Sequence, residues 1–186
     1  MSGRRPFGRR PGGRPACRRI LVYGYGNPGR QDDGLGPALA DRIEAGKPAG
    51  VSVDAAYQLA IEDAADIAGY DVVVFVDADM EGPEPYSMRR LEPSASITFT
   101  SHLIGPESVL ALCGQMYGKT PECWLLGIRG HAYDFGEELT EKARENLEEA
   151  FAYLIDFIEQ LRDADRPRDQ EGEENEQDGT QDDPDH

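Results

Sequence analysis

Apolar positions along the middle of this chain switch repeatedly between unbroken runs and a helical period. Ile20–Gly24 is an apolar run that ends in glycine, and it predicts a buried strand. Leu35, Leu39 and Ile43 then share one face of a helix predicted over about Gly34–Ala45. Val51–Ala55 reads as a second strand, and Ile61, Ala64, Ala65 and Ala68 mark a short helix. Val72–Val76 holds five apolar residues without alternation, the pattern of a strand covered on both faces of a sheet. Met88–Leu91 is a candidate edge strand. Pro106 suits a first helical turn and is followed by Val109, Leu110, Leu112, Cys113 and Met116 at helical spacing. Trp124–Ile128 reads as another buried strand. Thr140 can cap a last helix with an inner stripe of Ala143, Leu147, Ala150, Phe151, Leu154, Ile158 and Leu161. The alternation predicts a single three-layer α/β domain, a mostly parallel sheet with helices on both faces. No internal repeat interrupts it.

Composition sets the limits of that domain. Residues 1–18 form a basic arm rich in Gly, Pro and Arg, and residues 1–19 carry seven arginines and no acid. Residues 163–186 form an acidic tail with eleven acids against two arginines. Neither end can bury an apolar face, so both are expected to be disordered around a domain at 19–162. A length of 186 residues leaves room for one ordinary core between them. The net charge of −17 argues against a nucleic-acid partner, because neutralising phosphates needs a basic face. No apolar run approaches the ~18 residues of a membrane helix, and no apolar h-region follows the basic arm. Cys17, Cys113 and Cys123 are odd in number and lack ligand spacing, so free thiols in a reducing compartment are expected. The protein is read as soluble and cytoplasmic.

Candidate chemistry gathers where strands end, because open α/β sheets place their sites at the carboxyl ends of strands. Gly24, Gly26 and Gly29 spell G-x-G-x-x-G after the first strand. Asp32 and Asp33 contradict a dinucleotide site there, since they put negative charge where a pyrophosphate would sit. A cation suits the loop better. One aspartate suffices to cap the helix, a role given to Asp32, and two neighbours repel, which leaves Asp33 free for chemistry. Asp77 closes the Val72–Val76 strand, with Asp79 two residues on, and His102 precedes the helix opened by Pro106. Two carboxylates and an imidazole from three loops form an oxygen and nitrogen set suited to zinc or nickel. His131 reads as a solvent-facing loop residue.

Together these segments resemble the hydrogenase maturation proteases, endopeptidases that remove a C-terminal extension from the large subunit of nickel–iron hydrogenases. The family motif G-N-x-x-x-x-D-[DE]-G-x-G stands here as Gly26-Asn-Pro-Gly-Arg-Gln-Asp-Asp-Gly-Leu-Gly36. A strand ending in D-A follows as Phe75-Val-Asp-Ala78, and a histidine before a helix as Ser101-His-Leu-Ile-Gly-Pro-Glu-Ser-Val-Leu110. A late G-I strand and Asp134-Phe-Gly-Glu-Glu-Leu-Thr140 also match, so the resemblance spans about Arg19 to Leu161. Gly29 departs from it, standing where many members carry leucine.

The resemblance implies a phosphorylase/hydrolase-like fold with metal contacts at Asp33, Asp77 and His102. It also implies that the nickel belongs to the hydrogenase precursor and acts as a recognition element rather than a resident cofactor. Catalysis then falls to Asp33, with Asp77 next, by aspartic-type or metal-assisted hydrolysis; Asp32 is an alternative orienting acid. Glu62 falls in a family-like segment and is read as a solvent-facing helix residue. No H-E-x-x-H or G-x-S-x-G motif offers another protease chemistry. Two other function classes fit parts of the pattern. A non-cleaving, nickel-sensing or chaperone-like module would keep the same site. Gly26-Asn-Pro-Gly29 also resembles the opening of peptidyl-tRNA hydrolases, but those follow it with a histidine loop and a basic face, where this chain has Asp-Asp and an acidic core.

Overall fold

The computed structural model describes residues 18–46, 48–94 and 104–164. The expected arm, the expected tail beyond residue 164, Cys17 and His102 lie outside the described residues. Five strands form one sheet among the described residues: β1 (Ile20–Tyr25), β2 (Val51–Ala56), β3 (Val72–Asp79), β4 (Tyr86–Leu91) and β5 (Glu122–Arg129). Their order is β2-β1-β3-β5-β4. All neighbouring pairs are parallel except β4 with β5, so the segment expected at an edge is an edge and runs antiparallel. The predicted α/β architecture holds.

Strand alternation divides the core into two layers. Ile20, Val22, Val72, Val74 and Val76 point to one face, where α1 (Leu35–Gly46) and α4 (Glu141–Asp163) cover them with Leu35, Leu39, Ile43, Leu147, Leu154 and Ile158. Leu21, Tyr23, Val73 and Phe75 point to the other, beneath α2 (Asp63–Ile67) and α3 (Pro106–Tyr117) with Ile67, Val109 and Leu110. β3 is therefore apolar without alternation because both its faces are covered. Each such side chain contributes about 1.5–3 kcal/mol on burial, which is what holds the two helical layers to the sheet. Helix ends follow their sequence signals. Thr140 accepts from the Ala143 amide at 3.3 Å, and α3 opens on Pro106 and closes on Gly118 in the left-handed region.

The order β2-β1-β3 places the site. The chain leaves β1 for a neighbour on one side, then crosses to β3 on the other, so a crevice opens between the carboxyl ends of β1 and β3. Helix α1 is seated there backbone to backbone. A Cβ on Gly24 would collide with the Gly36 carbonyl, and one on Gly36 with the carbonyl oxygens of Tyr25 and Val76. Gly26 turns the chain out of the sheet at a φ of +139°, a conformation open to glycine.

Candidate active site

The crevice holds a cavity of about 600 Å³ lined by residues that include Tyr25, Asn27, Arg30, Asp33, Tyr57, Asp77 and Pro106. Two of the three residues expected to carry chemistry, Asp33 and Asp77, are thus brought together from separate strand ends. The third, His102, falls in the undescribed stretch just before α3. Among the described residues, no group of three His, Cys, Asp or Glu side chains is arranged to hold a metal ion.

Asp77 is the more strongly perturbed carboxylate. Burial pushes it up to about 6. A hydrogen bond from the Tyr25 hydroxyl and one from the Ala78 amide at 2.8 Å oppose the rise, while the nearby charges of Asp33 and Asp79 add to it. Tyr25 is raised in turn by its own burial and by Asp77. Asp33 accepts from the Asn27 amide at 3.2 Å through Oδ2. Two carboxylates thus share a partly desolvated crevice, and removing a proton from Asp77 there costs free energy that a cation would recover. A titration of the Asp77 carboxyl by carbon-13 NMR should give a midpoint near 6. Tyr25→Phe should move it up by removing a hydrogen bond to the charged form, and Asp33→Asn should move it down by removing a like charge. Opposite movements would overturn this account of the site.

Asp32 plays a part that sequence reasoning assigned wrongly. It does not cap its own helix: the short 3-10 turn Gln31–Gly34 has no side-chain cap. Asp32 is fully buried and accepts from the His131 amide at 2.7 Å, the Ala132 amide at 3.0 Å, and the Thr140 amide and hydroxyl at 2.7 and 2.8 Å. Burial alone would raise its pKa, but these four bonds outweigh it and hold the carboxyl below the usual range. The 131–140 segment is consequently pinned beside the site. Gln31 reinforces the pin at a φ of 47°, donating its amide to the Gly136 carbonyl at 2.7 Å. The non-glycine left-handed backbone there costs about 1–2 kcal/mol, consistent with a constrained functional loop.

The remaining candidates sort by geometry. Asp79, rather than Asp77, is the turn former of β3: its Oδ1 accepts from the amides of Glu81 and Gly82 at 3.0 and 2.7 Å. Glu62 is exposed at the start of α2 and does not line the cavity, as expected. His131 is exposed as a residue, yet its ring is mostly covered, 22% exposed, with Nε2 3.3 Å from Glu84 and 3.4 Å from Asn146 Nδ2. Its solvent-facing reading therefore holds for the backbone and fails for the ring. Cys113 and Cys123 are free and buried, and burial raises Cys123 to about 12, which leaves it unreactive.

Three residues of this region were not singled out from sequence. Tyr25 supports Asp77, and Arg30 lines the cavity. The Tyr133 hydroxyl is buried without a hydrogen-bond partner among the described residues, and burial with the charges of Asp32, Asp33 and Asp77 raises it to about 12. Only Tyr25 had a usable signal, as the last residue of a strand before the glycine turn.

No protein-family model and no curated protein matches the sequence. Solved structures do match the fold. A nickel–iron hydrogenase maturation protease from Thermococcus kodakarensis superposes with a TM-score of 0.61 at 23% identity, covering 77% of this chain and 94% of that one. The hydrogenase maturating endopeptidase of E. coli gives 0.61 at 22% identity, with 76% and 93% covered. A hydrogenase 2 maturation peptidase from a Thaumarchaeota archaeon gives 0.56 at 24%, with 76% and 98% covered. The chain shares the fold of these proteins over nearly their full length.

Proposed function

We propose that this chain is a hydrogenase maturation endopeptidase, which removes the C-terminal extension of a nickel–iron hydrogenase large-subunit precursor after nickel insertion. The observation that carries the reading is the pairing of Asp33 and Asp77 in one open crevice, on the fold that the maturation proteases share. Asp77 and Asp33, with His102, engage the nickel that arrives in the substrate. The metal's positive charge relieves the repulsion between the two carboxylates and favours the ionised form of Asp77. A precursor without nickel leaves that repulsion in place and is bound less well.

Hydrolysis of the peptide bond needs an activated water. Asp33 is the base in this reading: Oδ2 is held by the Asn27 amide, which fixes the carboxylate, while Oδ1, without a hydrogen-bond donor among the described residues, takes the water proton. Asp77, held by Tyr25 and Ala78, is the second choice and otherwise a contact to the metal. Incubating the purified protein with nickel-loaded and nickel-free precursor, and reading precursor mass, tests the proposal. Loss of a C-terminal peptide from the loaded form alone is the expected result. Binding of the loaded precursor without any cut would instead make the chain a nickel-sensing assembly module.

A further inference from the structure

Among the described residues that line the cavity, one carries a basic side chain, and its placement is specific. Arg30 lines the same cavity as Asp33 and Asp77 on a chain of strongly acidic balance, and among the described residues no carboxylate lies within ion-pair distance of it. Its guanidinium is nevertheless fixed. Nε and Nη2 donate to the Tyr133 carbonyl at 3.3 and 3.1 Å. The backbone is fixed as well, through a parallel bridge between Arg30 and Gly136 and the Gly136 amide donating to the Gly29 carbonyl at 3.0 Å. Asp32 ties the same two loops together, accepting from His131, Ala132 and Thr140.

A guanidinium has two edges that can bind a carboxylate with paired N–H groups. Tyr133 occupies the Nε edge, which leaves the Nη1 and second Nη2 hydrogens as a forked donor without a partner among the described residues, on a side chain that lines the cavity. The side chain is exposed, so its bonds to Tyr133 add little to stability. They do remove rotamer freedom before any ligand arrives, which is the use of preorganisation in binding. Phosphate is the poorer match, because two carboxylates in the same cavity repel its two charges more than the single charge of a carboxylate.

We infer that Arg30 is a specificity-determining residue that receives a carboxylate of the peptide being cut. This rests on the endopeptidase reading above. The carboxylate comes either from an acidic side chain of the extension or from the chain terminus. Arg30 then orients the extension while the opposite charge of the metal centre engages Asp33 and Asp77.

The test compares the full-length wild-type protein with Arg30→Ala and Arg30→Lys on nickel-loaded precursor, with processing kinetics, precursor affinity and melting temperature measured for each. Arg30→Ala should raise KM about 10- to 100-fold, the worth of a hydrogen bond to a charged group, with kcat and melting temperature little changed. Arg30→Lys should recover part of the loss, since it keeps charge but not the fork. Added salt should weaken binding by wild type more than by Arg30→Ala. Precursors with the acidic side chains of the extension changed to amides, or with an amidated terminus, identify the source: the one that brings wild type to the level of Arg30→Ala held the carboxylate.

If neither modified precursor does so, the inference is wrong. It is also overturned if kcat falls with KM unchanged, or if lost activity tracks a lower melting temperature, which would make Arg30 a strut between loops. Wild-type protein that neither binds nor cuts any loaded precursor would remove the reading and the inference together. Wild-type cleavage with an unaltered Arg30→Ala would remove the inference alone.

Discussion

On the endopeptidase reading proposed above, Asp33→Ala and Asp77→Asn are expected to leave the extension on nickel-loaded precursor, with processing at least about a hundredfold below wild type and the fold retained. Among the described residues Asp33 accepts one side-chain hydrogen bond, from the part-buried amide of Asn27 at 3.2 Å, so its loss costs little structure. Asp77→Asn can keep an oxygen for the Ala78 amide, and its side-chain amide can still pair with the Tyr25 hydroxyl, which both donates and accepts. The second variant carries a further signature in its stability. Asp77 is raised from 3.8 to about 6 in the folded protein, so between those values the native state holds more protons than the unfolded chain. Stability therefore falls as pH rises through that window. The penalty is complete above about pH 6 and amounts to roughly 3 kcal/mol at most. Asp77→Asn removes it. Urea unfolding at pH 8 should show the inactive variant more stable than wild type, with the difference vanishing near pH 3.5. An Asp77→Asn protein that processes normally, or one less stable at both pH values, refutes the assignment.

Asp32→Ala should be the most damaging change to the fold of the site, costing on the order of 4 kcal/mol. Three backbone amides and one hydroxyl lose their acceptor at a position sealed from water, and each orphaned group carries its own desolvation penalty. The linkage sign is opposite to that of Asp77. The folded pKa of Asp32 is depressed, so its stabilisation is present above the unfolded value and is lost as pH falls through the folded one. Wild type should lose this contribution in acid, and Asp32→Ala should not. Amide hydrogen exchange at His131, Ala132 and Thr140 should quicken together in the variant, ahead of the β3 amides. Unchanged protection at those three positions would show that Asp32 is not the pin.

The sheet and its helices were legible because burial writes a period into the chain. Val72–Val76 lacks alternation for the reason the structure displays, two covered faces, and the strand-end rule then brought Asp33 and Asp77 to one crevice. What escaped were partnerships between distant segments. Asp32 finds its donors about a hundred residues away, and nothing local distinguishes that from capping the helix it precedes. Tyr25 reaches Asp77 across two strands whose adjacency is a property of topology. The antiparallel run of β4 likewise depends on where its connections lead. Side chains were predictable where packing chose them, and obscure where a single long-range hydrogen bond did.

The glycine seam between β1 and α1 has a consequence for how such a site diversifies. Gly24, Gly26 and Gly36 meet neighbouring backbone, so no side chain can be accepted there without moving the strand end. Gly29 meets only the Asn27 side chain, at 3.2 Å. Of these four glycines, Gly29 is therefore the one where added bulk presses on a side chain rather than on backbone. Diversification at Gly29 would press on the Asn27 side chain and leave the frame beneath the two carboxylates in place.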